Sequence, residues 1–212
     1  YLAKIARRFG LGDETGIDLP GEDGGLIPDP AWRRRVNKTR PDLARWYPGN
    51  TLNMSIGQGD VLATPLQIAA MTAAVANGGT LWRPHLLREA RTPDGEMVQK
   101  AQPHGQSVGI TAKYLADIRK GMRMVVSEGT GRAAALPNIA VAGKTGSAED
   151  AHHTLPHAWF VAFAPYDPTG KTPPRLAVAA IVENSGHGSA NAAPIAKAIL
   201  EAAFPAPEKK SE

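Results

Sequence analysis

A lysine and two hydroxyl side chains follow one another closely at the end of an apolar stretch. Residues 139–142, Ile-Ala-Val-Ala, run into Gly-Lys-Thr-Gly-Ser at 143–147. The apolar run predicts a strand, so we expect Lys144, Thr145 and Ser147 at a strand end. An ammonium group and two hydroxyls hold an anion by charge and by directed hydrogen bonds. The sequence therefore predicts an anion-binding site here.

Such a string is typical of two sites: the nucleotide phosphate loop, and the Lys-Thr-Gly strand of enzymes that acylate a serine. A phosphate loop needs an earlier glycine, where this chain has Asn138, and a helix directly after the lysine. Residues 146–153 lack an apolar period of 3.6 residues, and the strand-forming run 158–165 follows them. The pattern predicts a hairpin and favours the second kind of site, with nucleotide binding kept as an alternative.

On an edge strand, we expect the side chains of Lys144, Thr145 and Ser147 to form one row toward a cleft. The hydroxyls would hold a substrate carboxylate, and the lysine would raise the local positive potential. Gly146 would let a ligand backbone lie close to the strand. An isolated Lys-Thr-Gly tripeptide also fits an ordinary solvated strand end, so the choice between a binding site and a strand end depends on the rest of the chain.

Three further blocks supply that context. The first has Ser-Ile-Gly-Gln-Gly-Asp at 55–60, Ala-Thr-Pro-Leu-Gln at 63–67 and Ala-Asn-Gly-Gly-Thr at 76–80. The others are His-Ala-Trp-Phe-Val-Ala-Phe-Ala-Pro at 157–165, and Thr-Gly-Ile-Asp-Leu-Pro-Gly-Glu at 15–22 with Ile-Pro-Asp-Pro-Ala-Trp at 27–32. In order and spacing, the blocks resemble the transpeptidase segment of class B penicillin-binding proteins, the penicillin-binding protein 2 subfamily above all. The likeness extends from Tyr1 to about Phe204.

This resemblance implies the transpeptidase fold shared by penicillin-binding proteins and serine β-lactamases. That α/β (α+β) fold has an antiparallel sheet packed with helices, and this chain would supply three of its five strands. The implied activity is that of a peptidoglycan D,D-transpeptidase, which cross-links stem peptides by serine acyl transfer and binds β-lactams. Lys144 and Ser147 would act in catalysis, and Lys144, Thr145, Gly146 and Ser147 would bind the substrate. The backbone N–H of Ser147 would form half of the oxyanion hole.

Two of the family's three motifs are missing. No serine has a lysine three residues later, and Ser189-Ala190-Asn191 follows Lys-Thr-Gly, out of the family order, so we interpret it as a loop or helix start. Residues 1–204 are predicted to be the C-terminal portion of a transpeptidase domain without its nucleophile, inactive alone, and 205–212 a polar tail. The alternative is a catalytically inactive penicillin-binding sensor or scaffold with the same fold.

Composition limits the partners. The 212 residues include 24 basic and 20 acidic side chains and no cysteine, which excludes disulfides and thiolate metal sites. The basic cluster 33–40 favours a solvated loop, or a surface near anionic lipid or cell-wall polymer, over nucleic-acid binding. The resemblance implies as partners D-Ala-D-Ala stem peptides, β-lactam antibiotics, the upstream part of the same protein and a membrane glycan polymerase of the elongation machinery. It implies no cofactor, and a periplasmic catalytic domain anchored in the inner membrane.

Three histidines, His152, His153 and His157, cluster between two predicted strands. Such a cluster fits zinc, but only Glu149 and Asp150 stand near it as further ligands. We therefore predict no metal site. The resemblance implies that His157 belongs to the following strand and that the other two histidines lie in a variable loop.

Periodicity and capping signals predict the elements that position these groups. Thr64 and Gln67 form a capping box that starts a helix, and Thr111 starts another that ends near Ser127. The glycine-rich segment 128–132 is interpreted as a structural link. Strands are predicted at 139–145, 158–166 and 175–183 as an antiparallel meander with an unpaired outer edge on the last strand.

Three other segments complete the prediction. A final helix at 190–204 is expected to pack on the sheet through Ile195, Ile199, Leu200 and Ala203. Residues 12–52, rich in proline, glycine and aspartate, are expected to be extended with short strands. Residues 80–87 and 90–100 are expected to form a hairpin around Thr-Pro-Asp-Gly at 92–95.

Overall fold

The computed structural model describes residues 1–150 and 153–206, which form two compact units. The first comprises Tyr1–Met71 and Leu81–Val108, and the second comprises Thr72–Thr80 and the described residues from Gly109 on. The helices are α1 (Leu2–Arg8), α2 (Pro30–Val36), α3 (Pro41–Ala44), α4 (Pro48–Ser55), α5 (Pro65–Ala76), α6 (Ala112–Ser127) and α7 (Gly188–Ala203). The strands are β1 (Thr80–Trp82), β2 (Glu89–Arg91), β3 (Met97–Lys100), β4 (Gly105–Ser107), β5 (Ala142–Ala148), β6 (His157–Ala164) and β7 (Leu176–Val182). Within the described ranges, none of the helices combines the length and apolar character needed to cross a bilayer.

The capping box predicted at the start of α5 is confirmed. The Thr64 N–H donates to Gln67 Oε1 at 2.9 Å, and the Gln67 N–H donates to Thr64 Oγ1 at 3.2 Å. Gln67 is fully buried, and its Nε2 donates to the carbonyl oxygens of Asp13 and Gly24 at 2.8 and 2.7 Å. One side chain thus caps the helix and holds an irregular segment of the first unit against it.

The segment 12–52 contains short helices where we predicted short strands, so that prediction is wrong. Helices α2, α3 and α4 each begin with a proline, at Pro30, Pro41 and Pro48. Proline suits the first helical position because its fixed φ is already helical and its missing N–H has no intrahelical partner to lose. The helices have only four to eight residues, too few for an apolar period to show in the sequence.

The predicted hairpin is confirmed for its inner part. Strands β2 and β3 pair antiparallel, and the Thr92 N–H donates to the Glu96 carbonyl across the turn at 2.9 Å. Strand β1 pairs with β4 instead of extending this hairpin. That pairing was missed because two three-residue strands far apart in sequence leave no pattern of their own.

Strands β5, β6 and β7 form the predicted antiparallel meander in the second unit. Strand β5 begins later than predicted and continues through Ala148. In the described part of the chain, β7 pairs with β6 alone, so the predicted unpaired edge of the last strand is confirmed. Phe160 of β6 is fully buried in the core that the sheet shares with α7.

Helix α7 packs on the sheet through a face other than the predicted one. Ile195 and Ile199 remain 44% and 43% exposed, whereas Leu200 is buried. The rest of the buried face consists of small residues: Gly188, Ala192, Ala193 and Ala196. The prediction was wrong for the two isoleucines and for Ala203, which is also exposed, because the helix is apolar on several sides, and small residues allow the closer approach. A Cβ on Gly188 would lie 2.1 Å from the Trp159 carbonyl oxygen.

Candidate functional site

Strand β5 carries the predicted anion-binding residues and continues for four residues beyond Lys144. The described residues between β5 and β6 contain no helix. A phosphate loop needs a helix directly after its lysine, because the N–H groups of the first helical turn hold the phosphates. The nucleotide-binding alternative is therefore contradicted, and the predicted strand–connection–strand arrangement is confirmed.

The predicted single row of side chains holds only for the two hydroxyls. Side chains alternate between the faces of a strand, so Thr145 and Ser147 share one face and Lys144 begins on the other. The Lys144 side chain instead turns back along its own strand, where Nζ donates to the Thr145 carbonyl oxygen at 2.6 Å. Lys144 and Ser147 are exposed, and Thr145 is half-buried. The ammonium group thus lies at the strand edge, close to the backbone between the two hydroxyl residues.

Thr130 joins this group, although the sequence analysis assigned its segment only a structural role. Its Oγ1 lies 2.9 Å from Thr145 Oγ1, and either hydroxyl can donate. The flanking glycines make the approach possible: a Cβ on Gly129 would lie 2.9 Å from the Val125 Cα, and one on Gly131 would lie 3.2 Å from the Phe160 ring. In the sequence, the pattern that could have indicated this role is a hydroxyl residue between two glycines directly after a helix.

Packing within the protein explains why glycines occupy positions 143 and 146. A Cβ on Gly143 would lie 2.6 Å from the Val161 carbonyl oxygen, and a Cβ on Gly146 would lie 3.2 Å from the Trp159 Cβ. On the helix side, a Cβ on Gly188 would lie 2.6 Å from the Gly146 carbonyl oxygen. Strand β5 is therefore closely packed against β6 and the start of α7. The approach of a ligand over Gly146 stays a prediction.

The histidine cluster lies at the far end of β5. His153 Nδ1 is 2.8 Å from Asp150 Oδ2, and His157 Nε2 is 3.6 Å from the same oxygen. His157 is the first residue of β6, as the resemblance implied, and His152 lies outside the described residues. Among the residues that are described, no three His, Cys, Asp or Glu side chains are grouped to hold a metal ion.

The arrangement has the properties of one wall of an acyl-transfer site. An edge strand presents an ammonium group, two hydroxyls and a third hydroxyl from a neighbouring loop. These groups suit a carboxylate ligand, because all of them donate hydrogen bonds and one of them is cationic. The chain has no Ser-x-x-Lys string, so the attacking serine of such a site has to come from outside it.

Known proteins resemble the chain over nearly its whole length. It is 37% identical to the peptidoglycan D,D-transpeptidase MrdA of Acinetobacter baumannii over 209 residues, which cover 92% of this chain and 30% of that protein. A solved structure of a peptidoglycan synthase complex that coordinates polymerization and crosslinking matches with a TM-score of 0.79 and 37% identity, over 97% of this chain and 33% of that one. Pseudomonas aeruginosa PBP2 in complex with WCK 5153 matches with a TM-score of 0.76 and 39% identity, over 97% of this chain and 42% of that one.

The chain thus spans less than half the length of each of these proteins. Their structures have the fold that the resemblance implied, so the predicted fold and its incompleteness are confirmed. The family model of the penicillin binding protein transpeptidase domain matches residues 1–201. The Lys-Thr-Gly edge strand, the fold and this match together show that the chain belongs to the penicillin-binding protein transpeptidase family.

Proposed function

We propose that the chain is part of a peptidoglycan D,D-transpeptidase that cross-links stem peptides by serine acyl transfer. The observation that carries this proposal is the edge strand β5, which holds Lys144, Thr145 and Ser147. The Thr130 hydroxyl reaches this strand from the loop after α6. Membership of the transpeptidase family supports it. The similarity to a D,D-transpeptidase over 92% of the chain supports it as well.

In the proposed reaction, a serine in the part of the protein outside this chain attacks the D-Ala-D-Ala amide of a stem peptide. The new bond joins the serine oxygen to the penultimate carbonyl carbon. The amide bond then breaks, and the terminal D-alanine leaves with a proton on its amine. An amine from a neighbouring stem peptide attacks the acyl-enzyme, forms the cross-link and releases the serine. A β-lactam would acylate the same serine through its ring amide.

Each group on β5 has a role in this scheme. The hydroxyls of Thr145 and Ser147 hold the carboxylate of the terminal D-alanine, and Thr130 orients the Thr145 hydroxyl by the hydrogen bond between them. Lys144 supplies positive potential and assists proton movement. Gly146 leaves room for the substrate backbone.

The backbone N–H of Ser147 is proposed to supply half of the oxyanion hole. Alternate residues of an edge strand direct their N–H and C=O groups away from the paired neighbour. The Lys144 ammonium reaches the Thr145 carbonyl, and Ser147, two residues later, shares the backbone orientation of Thr145. Loss of one such donor costs on the order of 3 kcal/mol in serine acyl transfer.

The proposed partners follow from this activity. They are D-Ala-D-Ala stem peptides, β-lactam antibiotics, the upstream part of the same protein and a membrane glycan polymerase of the elongation machinery. The similarity to a chain in a peptidoglycan synthase complex supports the last of these. We further propose that the catalytic domain lies in the periplasm and is anchored in the inner membrane.

The test compares the acylation rates of full-length variants by a fluorescent penicillin. Lys144→Ala should lower the second-order rate constant by roughly 100-fold, as expected for loss of a preorganised electrostatic group. Lys113→Ala is the matched control, because Lys113 is also exposed but lies on α6. Unchanged acylation of Lys144→Ala would contradict the proposed role. A wild-type protein that takes the label but releases no D-alanine from a stem-peptide donor would be the inactive sensor or scaffold.

A further inference from the structure

We propose that His157 is a positioning residue that fixes the Ser147 end of β5 relative to the β7–α7 turn, residues 183–187. The proposal rests on the function proposed above. It starts from the sheet register, in which His157 pairs with Ala148, directly after the pair Ser147 and Ala158. The ring therefore belongs to the residue pair next to the one that carries the proposed oxyanion donor.

The imidazole of His157 connects two loops. Its Nδ1 accepts a hydrogen bond from the Asn184 backbone N–H at 3.1 Å. A ring nitrogen that accepts carries no proton, so the proton of the neutral ring is on Nε2. That nitrogen lies 3.6 Å from Asp150 Oδ2 in the β5–β6 connection. His157 thus links the residues just after β5 to the turn just after β7.

The β7–α7 turn leads directly to the proposed site. The N–H groups of Ser185 and Gly186 both donate to the carbonyl of Pro156, the residue before His157, at 3.2 and 2.9 Å. The turn ends where α7 begins, at Gly188, where a Cβ would lie 2.6 Å from the Gly146 carbonyl oxygen. A shift of this turn is therefore transmitted to the backbone of Gly146, the neighbour of Ser147.

Asn184 makes the turn depend on the histidine. Its φ of 49° is in the left-handed region, which non-glycine residues adopt at a cost. Its side-chain Oδ1 is buried and has no hydrogen-bond partner among the described residues. The bond from its N–H to His157 helps to hold this residue in place, and its loss would leave a second unpaired polar group.

The protonation state of His157 decides whether this bond exists. When Nδ1 gains a proton, it no longer accepts from the Asn184 N–H. Among the described residues, the Asp150 carboxylate and the His153 ring, whose centroid is 6.2 Å away, lie beside the imidazole. The bond therefore requires an unprotonated Nδ1. If the His157 side chain acted only by filling space, its protonation state would not affect the position of Asn184.

The experiment measures acylation of the full-length protein by a fluorescent penicillin between about pH 5 and pH 8, the range in which histidine changes charge. In His157→Asn the side-chain oxygen takes the place of Nδ1 and still accepts from the Asn184 N–H but does not titrate, so we expect a near-normal rate at neutral pH and a smaller decline toward acid pH than in wild type. His157→Phe keeps a ring without acceptors, and its rate should be about 10-fold lower throughout the range, as expected for a displaced reacting group. His153→Gln is the control, because His153 contacts Asp150 through Nδ1 but is not bonded to Asn184.

Equal acid-side declines in wild type and His157→Asn would overturn the proposal, and so would wild-type rates in His157→Phe. A wild-type protein that shows no decline toward acid pH would overturn it too. If thermal unfolding shows that His157→Phe is not folded, the pH profile of His157→Asn decides. Failure of the proposed function has a different signature, since wild type itself would then take no label and both proposals would fall.

Discussion

The hydroxyl oxygens of Thr130 and Thr145 lie 2.9 Å apart, which joins the loop after α6 to the Lys-Thr-Gly strand. This bond fixes the direction in which the Thr145 hydroxyl points. Thr145 in turn belongs to the proposed carboxylate-binding pair. The position of the loop therefore contributes to the geometry of the strand edge.

Thr130→Val should slow penicillin acylation of the full-length protein by about 5-fold, the equivalent of one hydrogen bond of average strength. The valine has the same shape but leaves the Thr145 hydroxyl without this partner. Acylation rates measured by stopped flow or quenched labelling would show the change, and Thr130→Ser should restore most of the rate. A valine variant as fast as wild type would remove Thr130 from the site.

Gln67→Glu should destabilise the protein by about 3 kcal/mol or more, because a buried carboxylate would face two carbonyl oxygens. Gln67 Nε2 now donates to the carbonyls of Asp13 and Gly24, and the substitution removes that donor. Denaturant unfolding at neutral pH would measure the loss. Gln99→Glu on the exposed strand β3 is the control and should change little. Equal stabilities for the two variants would mean that the hydrogen bonds donated by the Gln67 amide do not stabilise the protein by this amount.

Two glycine-to-alanine changes should act in opposite directions. In Gly188→Ala the new Cβ would overlap the Trp159 carbonyl oxygen, and overpacking of this kind costs at least about 2 kcal/mol. Gly121 lies inside α6 with nothing within 4 Å of its would-be Cβ, so Gly121→Ala should stabilise by about 0.5 to 1 kcal/mol through helix propensity. Melting temperatures of the two full-length variants would test this. A stable Gly188→Ala variant would show that α7 does not approach the sheet as closely as described.

Asp167 should make stability depend on pH in the acid range. Its carboxylate accepts from the Thr169 hydroxyl at 2.7 Å, from the Thr169 N–H at 2.8 Å and from the Thr172 N–H at 2.7 Å. These hydrogen bonds lower the pKa of Asp167 from 3.8 to about 2, and the bond from the Thr169 hydroxyl contributes most. The folded-state pKa lies below the unfolded one, so the stabilisation is complete above about pH 4 and disappears as the pH falls toward 2.

The change that tests this is Asp167→Asn. Wild type should melt at a higher temperature than the variant at neutral pH, and the difference should shrink to nothing as the pH falls through that window. Asp94→Asn, in the turn between β2 and β3, is the control for the loss of one surface carboxylate. A difference that persists unchanged at about pH 2 would be inconsistent with the lowered pKa.

Local signals were sufficient for much of the fold. The Thr64 and Gln67 capping box was read correctly because its groups are three residues apart and both hydrogen bonds close within one helical turn. The order of β5, β6 and β7 followed from short connections between strand-forming runs. The isoleucines of α7 were placed on the wrong face because an alanine-rich helix has several apolar sides, and only contact with the sheet selects one of them.

The sequence by itself determined the family, the Lys-Thr-Gly strand and the chemical character of the site, because these depend on residue types at close spacing. Only the tertiary structure decided that Thr130 bonds to Thr145, 15 residues away, and that Gln67 reaches Asp13 and Gly24, 54 and 43 residues earlier. It also decided that the Lys144 ammonium turns back to its own strand. Hydrogen bonds between distant residues form only where packing brings donor and acceptor within about 3 Å, and no local pattern of residues encodes that distance.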